Sequence, residues 1–125
     1  MSEILVVGSL AYDTISTPEG KAPRTLGGSA NYFSLAASLY SKVRVVGVVG
    51  EDYDEADLKI LTSRGVDVDG MQKKPGKTFH WEGQYKDDMN EAITLATELN
   101  VFEHFNPELP EKYKNSSFVF LANIH

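Results

Sequence analysis

The sequence contains no cysteine and a single tryptophan among its 125 residues. Without cysteine there can be no disulfide bond and no thiolate chemistry, which is typical of a cytoplasmic protein. No apolar run approaches the ~20 residues that a membrane-spanning helix needs. The first residues, MSEILVVGSLAYD, have no basic stretch before their short apolar run, so no signal peptide is predicted. We therefore expect a soluble, cytoplasmic protein.

Positive charge is scarce as well. Lysine and arginine total 12 against 18 acidic residues, a formal net charge of −6, and no basic cluster stands out. This balance predicts neither a nucleic-acid partner nor a membrane surface. The P-loop motif, G-x-x-x-x-G-K-[ST], does not occur in the sequence. The dinucleotide-binding motif, G-x-G-x-x-G, is also absent, because the first apolar run is followed by GSLAYD. The histidines His80, His104 and His125 are isolated, so no metal site is predicted.

The residues that are present indicate an α/β fold. Continuous apolar runs at residues 4–8, 43–49 and 117–122 are typical of parallel strands buried on both faces. A first helix is predicted over about residues 29–40 and a second over about 53–64, the latter with an acidic start and a glycine stop. The first helix should bury one stripe: Phe33, Ala36, Ala37 and Tyr40. Short links between these elements predict a doubly wound sheet under helices.

Two segments, residues 14–26 and 74–88, do not fit this alternation of strands and helices. They contain turn residues and short stretches in which polar and apolar residues alternate. We predict antiparallel strands outside the main sheet, forming a flap over one end. Within the second segment, Phe79 and Trp81 could stack on a ligand ring or pack against the domain. Residues 90–102 have a composition that allows a helix, but their alternation favours a strand, which we predict.

The last part of the chain predicts a short helix and a final strand. The helix lies within residues 106–117, capped by Asn106 and begun by Pro107 or Pro110. Ligands of open parallel sheets bind at the carboxyl ends of the strands, and the sequence stops at such a point. We therefore expect the chain to be part of a larger domain.

Asp13 is the first candidate binding residue. It lies five residues beyond Gly8, just past the carboxyl end of the first predicted strand. A carboxylate can accept hydrogen bonds from two neighbouring hydroxyls, as recognition of a sugar requires. The alternative is an Asx-turn residue that closes the loop.

Gly27 and Gly28 form the second candidate, at the start of the first helix. Without a Cβ atom, their backbone N–H groups could approach a ligand closely. Asn31, one turn into the helix, offers a donor and an acceptor on the same side. The alternative is a flexible turn followed by a solvent-facing asparagine.

Taken in order, these motifs resemble the ribokinase family of carbohydrate kinases, also called the PfkB family. The segments are ILVVGSLAYDTI, LGGSANYFSLAAS, VRVVGVVGEDYDEADLKILTSRGVDVDGM and GKTF, and the resemblance spans essentially the whole chain. Four residues fit the family's first signature: Gly27, Gly28, Asn31 and Gly50. Three depart from it: Ser29, Phe33 and Tyr40. The loop between Asp13 and Gly27 is also shorter than is usual in the family.

The resemblance implies a three-layer αβα fold with a mostly parallel sheet and a small β-lid. Residues 1–125 would be its N-terminal, substrate-binding portion, with lid strands within 14–26 and 74–99. By the same resemblance, Asp13 grips sugar hydroxyls, Gly27 and Gly28 form a backbone platform beneath the sugar, and Asn31 supplies a side-chain partner.

The activity that the resemblance implies is ATP-dependent phosphorylation of a sugar or nucleoside hydroxyl. Family members carry their catalytic aspartate in a G-A-G-D motif, and no G-x-G-D occurs in these 125 residues. No catalytic residue is therefore predicted in this chain, and the sites for ATP and Mg²⁺ are expected outside it. The alternative is a non-catalytic sugar-binding or oligomerisation module. In either case an apolar sheet edge or the lid could support a homodimer.

Overall fold

The computed structural model describes residues 3–86 and 92–122. In chain order the elements are β1 (Glu3–Val7), β2 (Ala11–Thr17), β3 (Gly20–Gly27), α1 (Ser29–Ala37), β4 (Lys42–Val49), α2 (Glu55–Thr62), β5 (Asp67–Lys73), β6 (Phe79–Tyr85), β7 (Ala92–Glu98), 3-10 helices at Asn100–His104 and Glu111–Tyr113, and β8 (Phe118–Leu121). They form two four-stranded sheets. Nowhere in the described ranges is there a helix long and apolar enough to cross a membrane. The isolated His125 lies outside the described residues.

The main sheet has the strand order β5-β4-β1-β8, with every neighbouring pair parallel. The apolar runs of β1 and β4 form its buried centre, as their sequences predict. β8 is also a strand, but it is the outermost one, and its side chains are 37–68% exposed rather than buried. At the opposite edge lies β5, which the sequence analysis missed. Its sequence, DVDGMQK, lacks an apolar run because this edge strand buries only Gly70.

Helix α1 is shorter than predicted and turns a different face to the core. It ends at Ala37, so Tyr40 lies beyond it and is 83% exposed. The fully buried positions are small residues, Ala30, Asn31 and Ser34. Of the predicted stripe, Phe33 and Ala37 are partly buried against the core, whereas Ala36 and Tyr40 are exposed. The backbone N–H of Ala30 donates to the Ser9 carbonyl at 3.0 Å, which sets this rotation of the helix. Small side chains on that face let α1 approach the main sheet closely.

Helix α2 follows its sequence signals. Acidic residues occupy its first turn, and Gly65, with a φ of +77°, ends it as predicted. Its N-terminus is tied to the second sheet through Tyr12, whose hydroxyl donates to Asp57 and accepts from the Asp54 N–H at 3.0 Å. This connection fixes the start of α2 against β2.

The second sheet has the order β3-β2-β6-β7. Two antiparallel hairpins, β2–β3 and β6–β7, are joined by a parallel pairing of β2 with β6. The predicted segments do lie outside the main sheet, but an antiparallel arrangement throughout is wrong. β2 continues from β1 and β6 follows β5, and because those two strands run in the same direction, so do β2 and β6. The strand predicted within 90–102 is confirmed as β7.

The short helix predicted within 106–117 is a single 3-10 turn, Glu111–Tyr113, preceded by Pro110 at the N-cap. Asn106 does not cap it, because this residue lies too far upstream; its carbonyl accepts a hydrogen bond from the Gln72 side chain at 3.1 Å. Tyr113 anchors the turn to β5, since its buried hydroxyl accepts from the Gly70 N–H at 3.1 Å.

Candidate functional site

Asp13 lies on β2 and not in a loop, because the second sheet begins directly after the β1 connection, at Ala11. It pairs with Thr25 on β3 and with Trp81 on β6, beside a bulge that separates it from Ile15. The position inside a paired strand excludes the Asx-turn alternative. Asp13 thus occupies a central strand of the second sheet, close to its junction with the main sheet.

The Asp13 carboxylate rests over Gly27, at the end of β3. A Cβ atom built on Gly27 would lie closer than 3.0 Å to three atoms of this carboxyl group. Any side chain at Gly27 would therefore displace the carboxylate. The structure thus brings two of the predicted site residues, Asp13 and Gly27, into direct contact.

Gly28 has a different role. It is the N-cap of α1 with a φ of +91°, and a Cβ atom there would lie 2.5 Å from the Ser9 carbonyl oxygen. The first N–H groups of α1 are already used, since Ser29 and Ala30 donate to the side chain and the carbonyl of Ser9. This helix start therefore offers little to a phosphate group. Gly28 allows the backbone to pack closely where the two sheets meet.

Asn31 is fully buried beneath the glycine pair, which rules out a solvent-facing side chain. Its Nδ2 donates to the Gly27 carbonyl at 2.6 Å. Its Oδ1 has no hydrogen-bond partner among the described residues, and neither does the buried Tyr53 hydroxyl. Burial raises the pKa of Tyr53, and the nearby Asn31 amide partly offsets that rise. In this structure Asn31 supports the platform from below, and direct contact with a ligand stays a prediction.

The electrostatics of Asp13 suit a ligand that donates hydrogen bonds. Partial burial raises the pKa of its carboxyl group, and His80 opposes that rise. Among residues 3–86 and 92–122, no group donates a hydrogen bond to this carboxylate. Two acceptor oxygens are thus half-buried and unpaired, which is unfavourable until hydroxyl donors satisfy them.

The opposite face of the second sheet carries a cleft of about 400 Å³ that the sequence analysis missed. Nine residues line it: Tyr12, Thr14, Arg24, Asp52, Lys77, Thr78, His80, Glu98 and Asn100. Arg24 and Asn100, with φ of 51° and 53°, are the only non-glycine residues of the described chain with positive φ. No sequence signal could have revealed the cleft, because its lining comes from five separate stretches of the chain.

Most polar groups in this cleft bind one another. Arg24 stacks on the Tyr12 ring at 4.3 Å and donates to the Asp52 carbonyl. Asp52 accepts from both the N–H and the hydroxyl of Thr78, at 2.8 and 2.7 Å. Burial opposes ionisation of Asp52, but these bonds outweigh it and hold the pKa of Asp52 below its usual value. The cleft residues therefore hold the second sheet against the loop after β4. No cluster of three or more acidic or histidine side chains suited to a metal ion occurs in the described ranges.

A four-stranded parallel sheet, a second sheet at its carboxyl end, and a carboxylate over a glycine at their junction together define the N-terminal portion of a ribokinase-like fold. Solved structures confirm this fold. A ribokinase from Cryptococcus neoformans in complex with ADP matches 97% of this chain and 42% of its own, with a TM-score of 0.79 and 20% identity. A nucleoside kinase from Burkholderia thailandensis in complex with inosine matches 79% of this chain and 36% of its own, with a TM-score of 0.67 and 22% identity.

Sequence comparison also finds a kinase. A cytidine kinase from Thermococcus kodakarensis is 29% identical over 126 residues, which cover 99% of this chain and 44% of the relative. No protein-family model matches the chain. In fold the chain is ribokinase-like, and in sequence it resembles a kinase, as its motifs indicated; it spans less than half the length of these relatives.

Proposed function

We propose that this chain is the substrate-binding part of an ATP-dependent kinase that phosphorylates a hydroxyl of a nucleoside or a sugar. The observation that carries this proposal is the unpaired Asp13 carboxylate, held over Gly27 at the carboxyl end of the main sheet. Two adjacent ligand hydroxyls would each donate to one of its oxygens. Relatives named as a cytidine kinase, a nucleoside kinase and a ribokinase support the proposal.

The chain supplies recognition but not phosphoryl transfer. That reaction needs a positioned base, donors for the transferred group, and metal-neutralised phosphates. The family's motif for the first two is missing from these 125 residues. We propose that ATP and Mg²⁺ bind outside this chain, where they supply the phosphoryl group and neutralise its charge, and that the isolated chain does not turn over.

The test is to titrate the purified chain with cytidine, inosine, ribose and fructose by calorimetry, and to assay ADP release with Mg-ATP and each ligand. We expect at least one of these ligands to bind, with no ADP released above background. Replacing Asp13 by alanine should weaken that binding. Absence of binding by all four would overturn the recognition role. ADP release by the isolated chain would overturn the proposal that phosphoryl transfer depends on groups outside this chain.

We further propose that the isolated chain forms a homodimer through the free edge of β8. Phe118, Val119 and Leu121 are 58–68% exposed there, and the outermost strand presents its backbone N–H and C=O groups to a second strand. The alternative interface is the second sheet, whose outermost strand β7 exposes Ile93.

Lysine substitutions distinguish the two interfaces by sedimentation velocity. Val119→Lys should convert the dimer to a monomer, because a charge on β8 opposes edge-to-edge pairing. The matched variant Ile93→Lys, on β7, should remain dimeric. The reverse pattern would assign the dimer to the second sheet, and a monomeric wild-type chain would contradict both interfaces.

The contact between Gly27 and Asp13 gives a further prediction. Gly27→Ala should weaken ligand binding by about 1.5–3 kcal/mol, because the new methyl group displaces the carboxylate that accepts the hydroxyls. The double variant with Asp13→Ala should bind no more weakly than Asp13→Ala alone. Calorimetric titration of the three variants measures this coupling, and additive losses would show that Gly27 acts independently of Asp13.

A further inference from the structure

Trp81 lies on the same face of the second sheet as Asp13. The two residues are paired in register on the adjacent strands β6 and β2, which places their side chains side by side. The indole extends along β6 over Gly83. A Cβ atom built on Gly83 would lie closer than 3.0 Å to three atoms of the six-membered ring. Gly83 thus makes room for an aromatic ring that lies against the sheet.

The orientation of this indole is fixed. Its Nε1 donates to the Thr94 hydroxyl at 3.2 Å. Thr94 is the residue of β7 that pairs with Gly83. Phe79, the other ring considered for ligand stacking, stacks instead on Phe102, with the ring centroids 5.2 Å apart, and so packs against the domain. Of the two rings that the sequence left open, Trp81 alone is placed beside the Asp13 carboxylate.

A second aromatic residue, Tyr32 on helix α1, interacts electrostatically with the same carboxylate. The Tyr32 hydroxyl donates to the Leu26 carbonyl at 2.8 Å, while 59% of the residue stays exposed. Burial raises the pKa of Tyr32, and the nearby charge of Asp13 adds to that rise. Asp13 is therefore paired in register with an indole on the sheet and interacts electrostatically with a phenol on the helix.

We propose that Trp81 is the stacking surface for the base of a nucleoside whose ribose hydroxyls bind Asp13. This inference rests on the proposed function and narrows its substrate class. Gly83 lies two residues beyond Trp81, about 7 Å along the strand, so the ring extends away from the carboxylate by roughly the span from a ribose to its base. A plain sugar has no aromatic face to place against an indole, whereas every nucleobase does.

The chain itself offers a direct readout, because Trp81 is its only tryptophan. Intrinsic emission should fall saturably when cytidine or inosine is added, and it should stay unchanged with ribose, whose binding is followed by calorimetry. Binding of nucleosides and ribose with unchanged emission would overturn the stacking role while leaving the sugar-kinase function intact. If none of these ligands binds, the proposed function fails and this inference fails with it.

Variants separate stacking from folding. Trp81→Ala should weaken cytidine binding by about fivefold or more, while ribose binding stays within about twofold. Trp81→Phe should retain most of the affinity for cytidine, because an aromatic face remains. Gly83→Ala, which keeps the tryptophan but displaces its ring, should show the same cytidine-specific loss. Equal losses for cytidine and ribose in Trp81→Ala would contradict a base-stacking role.

Discussion

Replacing Asp13 by asparagine should weaken binding of the nucleoside or sugar by about 10- to 100-fold, because a charged acceptor of two hydroxyl hydrogen bonds is worth about 1.5–3 kcal/mol. The substitution keeps the shape of the side chain over Gly27, removes its charge and replaces one of its two acceptor oxygens with an NH2 donor. Calorimetry on the wild-type chain and this variant measures the effect. Unchanged affinity would show that the Asp13 carboxylate does not bind the hydroxyls of the substrate.

The same variant should be as stable as the wild type or more stable at neutral pH. Burial raises the pKa of Asp13 in the folded protein above its ordinary 3.8, so the folded state favours the protonated form. The stability that this proton provides is fully present below the unfolded pKa and is lost as pH rises through the folded value. The wild type should therefore lose stability relative to Asp13→Asn as pH rises through that window. Urea unfolding across acid pH tests the sign, and the opposite trend would mean that the native protein stabilises the carboxylate.

Replacing Gly28 by alanine should lower the free energy of unfolding by about 3 kcal/mol or more. The φ of +91° disfavours any side chain, and the new Cβ would meet the Ser9 carbonyl oxygen at 2.5 Å. This expectation differs from the role that the sequence indicates, since a side chain at Gly28 in a ligand platform would be expected to weaken binding more than stability. The structure explains the difference, because Gly28 packs against backbone and not against the open site.

Gly65→Ala is the matched control. Gly65 has a similar φ of +77°, but nothing lies within 4 Å of the position its Cβ would take. Its substitution should lower the free energy of unfolding by only about 1–2 kcal/mol, which is the penalty for a side chain in the left-handed conformation. Urea unfolding of both variants isolates the cost of the close approach. Equal losses of stability in the two variants would show that the close approach of Gly28 to Ser9 does not add to the cost of a side chain at Gly28.

The central part of the fold could be predicted because its signals are local. The apolar runs of β1 and β4 and the acidic start of α2 each specify their element without reference to the rest of the chain. β5 could not be found in this way, because its place at the sheet edge requires no apolar run. The rotation of α1 was equally hidden, since it depends on a hydrogen bond from Ala30 to Ser9, 21 residues earlier.

The candidate site was partly predictable for a related reason. Asp13 and Gly27 are recognisable as residue types at a strand–helix junction, but their direct contact depends on the β2–β3 register. The burial of Asn31 depends on the rotation of α1, and the place of Trp81 depends on the parallel pairing of β2 with β6. Contacts between distant segments are fixed by tertiary packing, which periodicity does not encode.

The most direct test of this account is a titration of the isotope-labelled chain with cytidine, followed by amide and indole chemical shifts. We expect the largest changes at Asp13, Thr25, Gly27 and the Trp81 indole, on one face of the second sheet. Changes confined to the opposite cleft, at Thr14 and His80, would contradict this account, and so would a spectrum that cytidine leaves unaltered.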